Sequence, residues 1–104
     1  MSEEKRRHAR VKIRVPVEMR TPNENPIRAE TTDLSLTGFY VEMLFTLEVG
    51  TRLDINLRLG DATVVAVGEV VTCDRTVGNG VRFTRILPDD KEELDRYLQA
   101  AAPQ

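Results

Sequence analysis

Hydrophobic and polar residues alternate with a period of two along most of the chain. The clearest run is Val11–Arg20, in which every second side chain is apolar, as expected for a strand with one buried face. Alternation or β-branched composition recurs in later segments, and we predict six strands: Val11–Arg20, Ile27–Thr32, Phe39–Met43, Arg52–Leu59, Thr63–Thr72 and a last strand beginning at Val81.

Turn-forming residues separate these strands. Pro16 lies on the outward phase of the first run and indicates an edge or a bulge there, and Gly68 indicates a bulge or a sharp bend within the fifth strand. We predict connections at four places that are rich in Gly, Pro, Asn or Asp: Thr21–Pro26, Asp33–Gly38, the tight hairpin Gly60-Asp61 and Gly78–Gly80.

A helix is predicted to follow Pro88, which ends the last strand. Asp89 or Asp90 can cap the helix, and Glu92 follows Asp89 at the spacing of a capping box. Apolar residues then recur at helical spacing up to Ala101, so the predicted helix covers about residues 89–101. Six short strands followed by one amphipathic helix predict a mainly β fold, a small antiparallel barrel with the helix packed on it.

The 104 residues are enough for one domain. We expect a flexible basic arm at residues 1–10, which has no periodicity of its own, and a barrel domain at residues 11–104. The inward phase of the strands and the apolar face of the helix predict the core: Val11, Ile13, Val15, Val17, Phe39, Val41, Ile55, Leu57, Val81, Phe83, Leu94 and Leu98.

The charge of the chain is unevenly distributed. The net charge is −2, but residues 1–20 carry seven basic and three acidic side chains, so they sum to +4 and the other 84 residues to −6. Twelve of the fifteen cations are arginine, whose planar fork binds phosphate or a guanine edge bidentately. The N-terminal segment therefore suits a small anionic partner, whereas the acidic remainder and the 5% aromatic content argue against a nucleic-acid-binding barrel.

Residues for catalysis or metal binding are scarce. One histidine, His8, and one cysteine, Cys73, do not make a metal site of the usual ligand number, and there is no phosphate-binding glycine loop. We therefore predict a binding module rather than an enzyme, with no cofactor. A single cysteine allows no internal disulfide and, with no secretory signal or apolar span, favours a cytoplasmic protein that does not insert into membranes.

Two segments could recognise a ligand. Arg6, Arg7 and Arg10 belong to a run that is either a solvated basic tail or a clamp around a small anion, since charge-assisted bonds to phosphate are strong. Asp33–Gly38 is either a plain turn or a recognition turn. In the second case Asp33 and Ser35, two positions apart, project from one face of the extended chain, and the carboxylate accepts the N–H groups of a guanine edge.

Together these segments resemble the PilZ domain family of cyclic di-GMP receptors. The family motif RxxxR matches Arg6 and Arg10, and the later motif [D/N]xSxxG matches Asp33, Ser35 and Gly38. Gly80–Phe83 also resembles a late strand of the family. The resemblance covers essentially the whole chain, and it implies a six-stranded antiparallel PilZ β-barrel with an N-terminal arm that folds over bound ligand.

The resemblance also implies roles for the arm. Arg6 and Arg10 would contact phosphates and the guanine O6/N7 edge, and Arg7 would stack on or bond to the nucleotide. Many members carry a third arginine just before the pair, where this chain has Lys5, which keeps the charge but lacks the fork. Four cations in the arm favour two stacked cyclic di-GMP molecules per protomer, although one remains open.

In the turn, the resemblance implies that Asp33 and Ser35 hold a guanine edge. Gly38 would let the backbone adopt a positive φ or approach the ligand closely. The function implied is that of a bacterial second-messenger receptor, which passes the signal to a protein partner. The alternative is a PilZ-fold interaction adaptor that does not bind nucleotide.

Overall fold

Six antiparallel strands close into a barrel in a computed structural model, which describes residues 10–101. The order around the barrel is β1-β2-β3-β6-β5-β4, so each strand is paired on both sides. The elements are β1 (Pro16–Arg20), β2 (Ile27–Leu34), β3 (Gly38–Glu42), β4 (Arg52–Leu59), β5 (Ala62–Asp74), β6 (Gly78–Ile86) and helix α1 (Pro88–Ala101). The predicted barrel with a C-terminal helix is therefore confirmed.

The barrel interior is filled by the inward phase of the strands. β4 shows the pattern most clearly, because its eight residues alternate strictly between exposed and buried. Leu94 and Leu98 of α1 are buried with the strand residues. Nine of the twelve predicted core residues are buried, whereas Val11, Ile13 and Phe83 are partly buried and pack against the core.

The first predicted strand is shorter than the alternation indicated. β1 starts at Pro16, because the buried Thr31 side chain interrupts the ladder before it. The Thr31 hydroxyl donates to the Ile13 carbonyl at 2.7 Å and accepts from the Val15 amide at 3.0 Å. Pro16 is the exposed first residue of its strand, a position that tolerates the missing N–H. The barrel is closed, so Pro16 does not mark an edge.

The turn predicted at Gly78–Gly80 is wrong. These residues begin β6, and the connection from β5 is Arg75–Val77, where Thr76 has a φ of 60°. A Cβ at Gly78 would lie 2.4 Å from the Val41 carbonyl oxygen and 2.7 Å from the Tyr40 ring. Glycine is present here because the neighbouring strand lies close, and not because the chain reverses.

The predicted hairpin at Gly60-Asp61 and the predicted irregularity at Gly68 agree with the structure. Gly60-Asp61 joins β4 to β5 as a two-residue hairpin, with Leu59 paired to Ala62. The register of β5 against β6 shifts next to Gly68, as expected for a bulge. Within residues 10–101 no helix is long and apolar enough to cross a bilayer.

Candidate functional site

Residues from the two sequence motifs meet at one end of the barrel. The Arg10 guanidinium donates to the Asp33 carboxylate at 2.6 Å, across 23 positions of sequence. Both groups are accessible, with half of the Arg10 side chain and a quarter of the Asp33 side chain exposed. The pair therefore presents hydrogen-bond donors and acceptors side by side at the surface.

Backbone pairing brings Arg10 to this position. Val11 and Leu34 exchange two hydrogen bonds, of 2.8 and 2.9 Å, and form an isolated bridge outside the regular strands. Leu34 is fully buried, and Val11 packs partly against the core. Backbone pairing therefore places Arg10 at the end of β2, and its position beside Asp33 does not depend on the ion pair between them alone.

Ser35 holds the turn between β2 and β3. Its side-chain oxygen accepts from the amides of Thr37 at 3.1 Å and Gly38 at 3.3 Å, and it lies 3.0 Å from the Thr37 hydroxyl. Ser35 has no exposed surface, unlike Asp33. The expected common face of these two side chains is therefore not formed, because Ser35 lies past the end of β2 and turns inward. The connection itself is only Ser35–Thr37, shorter than predicted.

Gly38 is required by strand packing. A Cβ at this residue would lie 2.0 Å from the Val81 carbonyl oxygen and 3.0 Å from the Arg82 Cα. Only Gly50 and Gly60 have positive φ angles among the described glycines. Of the two expectations for Gly38, the positive φ is therefore wrong, while a close approach of the backbone to the ligand stays a prediction. The side chain is absent because β6 lies against the start of β3.

Thr37 is a turn residue that the sequence motifs did not single out. Its carbonyl accepts from the Phe83 amide at 2.8 Å, which ties the turn to β6. The spacing Ser-x-Thr, in which hydroxyls bond to backbone groups two residues away, is the signal that could have indicated it. Ser35 thus stabilises the turn through hydrogen bonds within it, and Thr37 attaches the turn to β6.

The charges around the turn differ between its two sides. A shallow groove between Leu36 and α1 is lined by Asp89, Glu92 and Asp95 against one cation, Lys91. Three carboxylates disfavour a phosphate in this groove. A small anion is therefore disfavoured on the side of the turn that faces the helix, whereas Arg10 offers a cation at the end of β2.

Two predicted site residues, Arg6 and Arg7, lie outside the described residues, as does the arm up to residue 9. Within residues 10–101 there is no group of three or more His, Cys, Asp or Glu side chains suited to a metal ion. The described part of the candidate site thus consists of Arg10, Asp33 and the turn from Ser35 to Gly38.

Comparisons with known proteins agree on one family. A family model described as "PilZ domain" matches residues 4–100. No curated protein sequence matches significantly. Among solved structures, the PilZ domain of YcgR from Escherichia coli with c-di-GMP has a TM-score of 0.75 at 16% identity, covering 91% of this chain and 89% of that one.

Two further structures share the fold. The PilZ domain of CeSA from a cellulose-synthesising bacterium has a TM-score of 0.71 at 18% identity, with coverages of 88% and 96%. The Bacillus subtilis inhibitor of motility, MotI/DgrA, has a TM-score of 0.79 at 15% identity, covering 89% of this chain. The present chain spans 49% of the MotI chain. At these identities the likeness demonstrates the fold.

Proposed function

The chain belongs to the PilZ domain family, and on that basis we propose that it is a cyclic di-GMP receptor that alters its interaction with a partner protein when the nucleotide binds. In this proposal the chain is not an enzyme, requires no cofactor and acts in the bacterial cytoplasm. The fold is shared with the YcgR domain whose structure contains c-di-GMP. That likeness makes this nucleotide the first ligand to test.

The observation that carries the proposal is the contact between Arg10 and Asp33. Residues of two motifs, 23 positions apart, are joined by a 2.6 Å hydrogen bond at an accessible point of the surface. A cyclic dinucleotide offers phosphates to a guanidinium and guanine N–H groups to a carboxylate. One ligand could therefore engage both partners of this pair.

We assign the contacts as follows. Arg10, together with Arg6 from the segment that precedes the described residues, binds phosphates and guanine O6/N7, and Arg7 of that segment stacks on or bonds to the nucleotide. Asp33 accepts hydrogen bonds from the other guanine edge. Ser35 and Gly38 act through the turn, since Ser35 bonds to the turn amides and Gly38 admits β6, and together they hold Asp33 in place.

Ligand binding rearranges the ion pair between Arg10 and Asp33 of the free protein. Both oxygens of the Asp33 carboxylate and the several donors of Arg10 allow each group to keep one contact while gaining another. An ion pair with this exposure contributes little to stability. Its rearrangement therefore costs little, and the pair can serve as the acceptor and donor for the nucleotide.

Calorimetric titration tests the function. We expect cyclic di-GMP to bind with a dissociation constant of about 1 μM or lower, which corresponds to about 8 kcal/mol, while GTP and single-stranded DNA at equal concentration do not. Absence of heat with cyclic di-GMP from folded protein would leave the alternative, an adaptor that binds no nucleotide. Preferential binding of DNA would instead indicate a nucleic-acid-binding barrel.

A further inference from the structure

The end of the barrel formed by the β3–β4 loop and the β5–β6 hairpin carries most of the exposed apolar surface. Seven large hydrophobic side chains are exposed among the described residues, and five of them lie in the β3–β4 loop, in the last four residues of β5 or in the turn that follows β5. Phe45 is 85% exposed and Leu44 69%. We call the five residues the loop-end patch: Leu44, Phe45, Val49, Val71 and Val77. Clustered apolar surface of this kind marks interaction sites on soluble proteins.

A buried asparagine fixes the loop that bears the patch. The Asn79 side chain accepts from the Leu47 amide at 2.8 Å and donates to the Leu47 carbonyl at 2.9 Å. It also donates to the Thr72 carbonyl at 3.1 Å, and Asn79 has no exposed surface. The middle of the loop is therefore clamped onto the β5–β6 hairpin.

Both ends of the loop are anchored to the same hairpin. The Met43 amide donates to the Val77 carbonyl at 3.0 Å, and the Gly50 amide donates to the Val70 carbonyl at 2.8 Å. The first bond places the apolar tip with Phe45 beside the β5–β6 turn, and the second places the other end of the loop beside β5. Because the segment is held at three points, it loses little conformational entropy on binding.

The charges around the patch are mainly negative. Glu42 directly precedes the loop, Glu48 lies within it and Asp74 directly precedes the hairpin turn, while Arg75 is the cation of that turn. All four side chains are exposed. Asp74 is held in place by the Tyr40 hydroxyl, which donates to it at 2.7 Å. With the exposed Arg52, which directly follows the loop, three carboxylates and two guanidiniums give this end a charge of −1.

We propose that the loop-end patch docks a partner protein segment that presents apolar side chains flanked by lysine or arginine, such as a basic amphipathic helix. The apolar surface needs an apolar counterpart, and the carboxylates select a cationic one. A second copy of this chain would bring like charges together. Anionic lipid headgroups and nucleic acids would be repelled by the same carboxylates.

The patch is separate from the candidate nucleotide site. Gly38 pairs with Arg82 at the site end of β3 and β6, whereas Glu42 pairs with Gly78 at the patch end. Four residues of strand separate the two pairs, about 14 Å at the rise of an antiparallel strand. A partner segment and a nucleotide can therefore bind together, and the proposal does not depend on nucleotide binding.

A pair of synthetic peptides tests the proposal. Both are 18-residue amphipathic helices with leucine on one face, and the other face carries lysine in one and glutamate in the other. We expect the lysine peptide to bind with a dissociation constant below about 100 μM and to shift the amide resonances of residues 43–50 and 75–77. Phe45→Ser should weaken this binding at least tenfold, because the anchor of an apolar contact is lost.

Two further variants separate the apolar and the charged contributions. Glu48→Lys should weaken binding of the lysine peptide and strengthen that of the glutamate peptide. Val65→Ser, which removes a side chain 53% exposed elsewhere on β5, should leave both unchanged. Thermal unfolding of each variant should match wild type, because every replaced side chain is exposed.

Four results would overturn the proposal. These are no binding of the lysine peptide, equal binding of both peptides, binding that persists in Phe45→Ser, and resonance shifts confined to residues outside 43–50 and 75–77. Sedimentation of a dimer that Phe45→Ser dissociates would identify a second copy as the occupant instead. Binding to phosphatidylserine vesicles that Phe45→Ser abolishes would identify a membrane surface.

Discussion

Replacing Gly38 with alanine tests why the recognition turn ends in glycine. The added Cβ would lie 2.0 Å from the Val81 carbonyl oxygen and 3.0 Å from both the Val81 carbonyl carbon and the Arg82 Cα. A carbon and a carbonyl oxygen in contact normally lie about 3.3–3.6 Å apart. β3 and β6 must therefore separate locally by more than about 1 Å. The clashing atoms of β6 belong to the backbone, so they cannot rotate away as a side chain would.

The expected cost follows from this displacement. Overpacking a well-packed site costs about 1–3 kcal/mol and occasionally more, and a clash with backbone belongs at the upper end of that range. We therefore expect Gly38→Ala to lower the free energy of unfolding by about 3 kcal/mol. For a domain of this size, 1 kcal/mol lowers the thermal midpoint by about 4–8 °C, so the midpoint should fall by roughly 12–24 °C.

Gly60→Ala is the matched control. Gly60 has a φ of 65° and no atom within 4 Å of an added Cβ, so its substitution costs only the left-handed conformation, about 1–2 kcal/mol. Calorimetric melting of both variants, with cyclic di-GMP titration at a temperature where each is folded, measures the two effects. A Gly38→Ala variant that melts like wild type but loses nucleotide affinity would refute the packing explanation and show that glycine makes room for ligand.

Three further predictions follow from the core, the barrel surface and the arm. Leu57→Ala should lower the free energy of unfolding by about 2–5 kcal/mol in denaturant titrations, because a fully buried side chain leaves a cavity; an unchanged midpoint would contradict the strand assignment. The hydrogen bond to Asp74 raises the pKa of Tyr40 to about 12. Since the pKa of tyrosine in the unfolded chain is about 10, the hydrogen bond contributes fully to the free energy of unfolding below pH 10. This contribution is lost as the pH rises towards 12, and Tyr40→Phe should remove that decline in the free energy of unfolding. Native mass measurement should find two cyclic di-GMP molecules per protomer in wild type and one in Lys5→Leu; a ratio of one in wild type would show that charge at this position does not admit a second nucleotide.

The parts of the fold that follow from local pattern were predictable. β4 alternates along its whole length in both the sequence and the structure, because a strand of a closed barrel has one face inside and one outside. The Gly60-Asp61 hairpin and the C-terminal helix are likewise encoded by neighbouring residues. In each case the residues that carry the signal also form the element.

Errors arose where a distant residue decides the local structure. Gly78–Gly80 has the composition of a turn, but β3 and the Tyr40 ring lie against Gly78 and require a glycine within a strand. The ladder before Pro16 is broken by the Thr31 hydroxyl, which comes from another strand. Neither contact can be found from local spacing.

The candidate site was predicted only through the combination of its motifs. Spacing alone left Arg10 as part of a basic tail and Asp33 as a turn residue, and it did not indicate that Val11 pairs with Leu34. Alternation with a period of two also predicts that Ser35 shares a face with Asp33, whereas the turn directs the Ser35 side chain inward. The family resemblance carried information about position that periodicity does not contain.

Calorimetric titration of Arg10→Ala with cyclic di-GMP, beside Arg14→Ala, tests whether the nucleotide site is built on Arg10 and Asp33. Arg14 belongs to the same basic segment, is 65% exposed and lies 4.0 Å from Glu30, so its loss changes the charge equally and leaves the contact between Arg10 and Asp33 in place. Removing one charged hydrogen-bonding partner costs about 1.5–3 kcal/mol. We expect an affinity about ten- to a hundredfold lower for Arg10→Ala and an unchanged affinity for Arg14→Ala. Wild-type affinity in Arg10→Ala, or an equal loss in both variants, would contradict a nucleotide site built on Arg10 and Asp33.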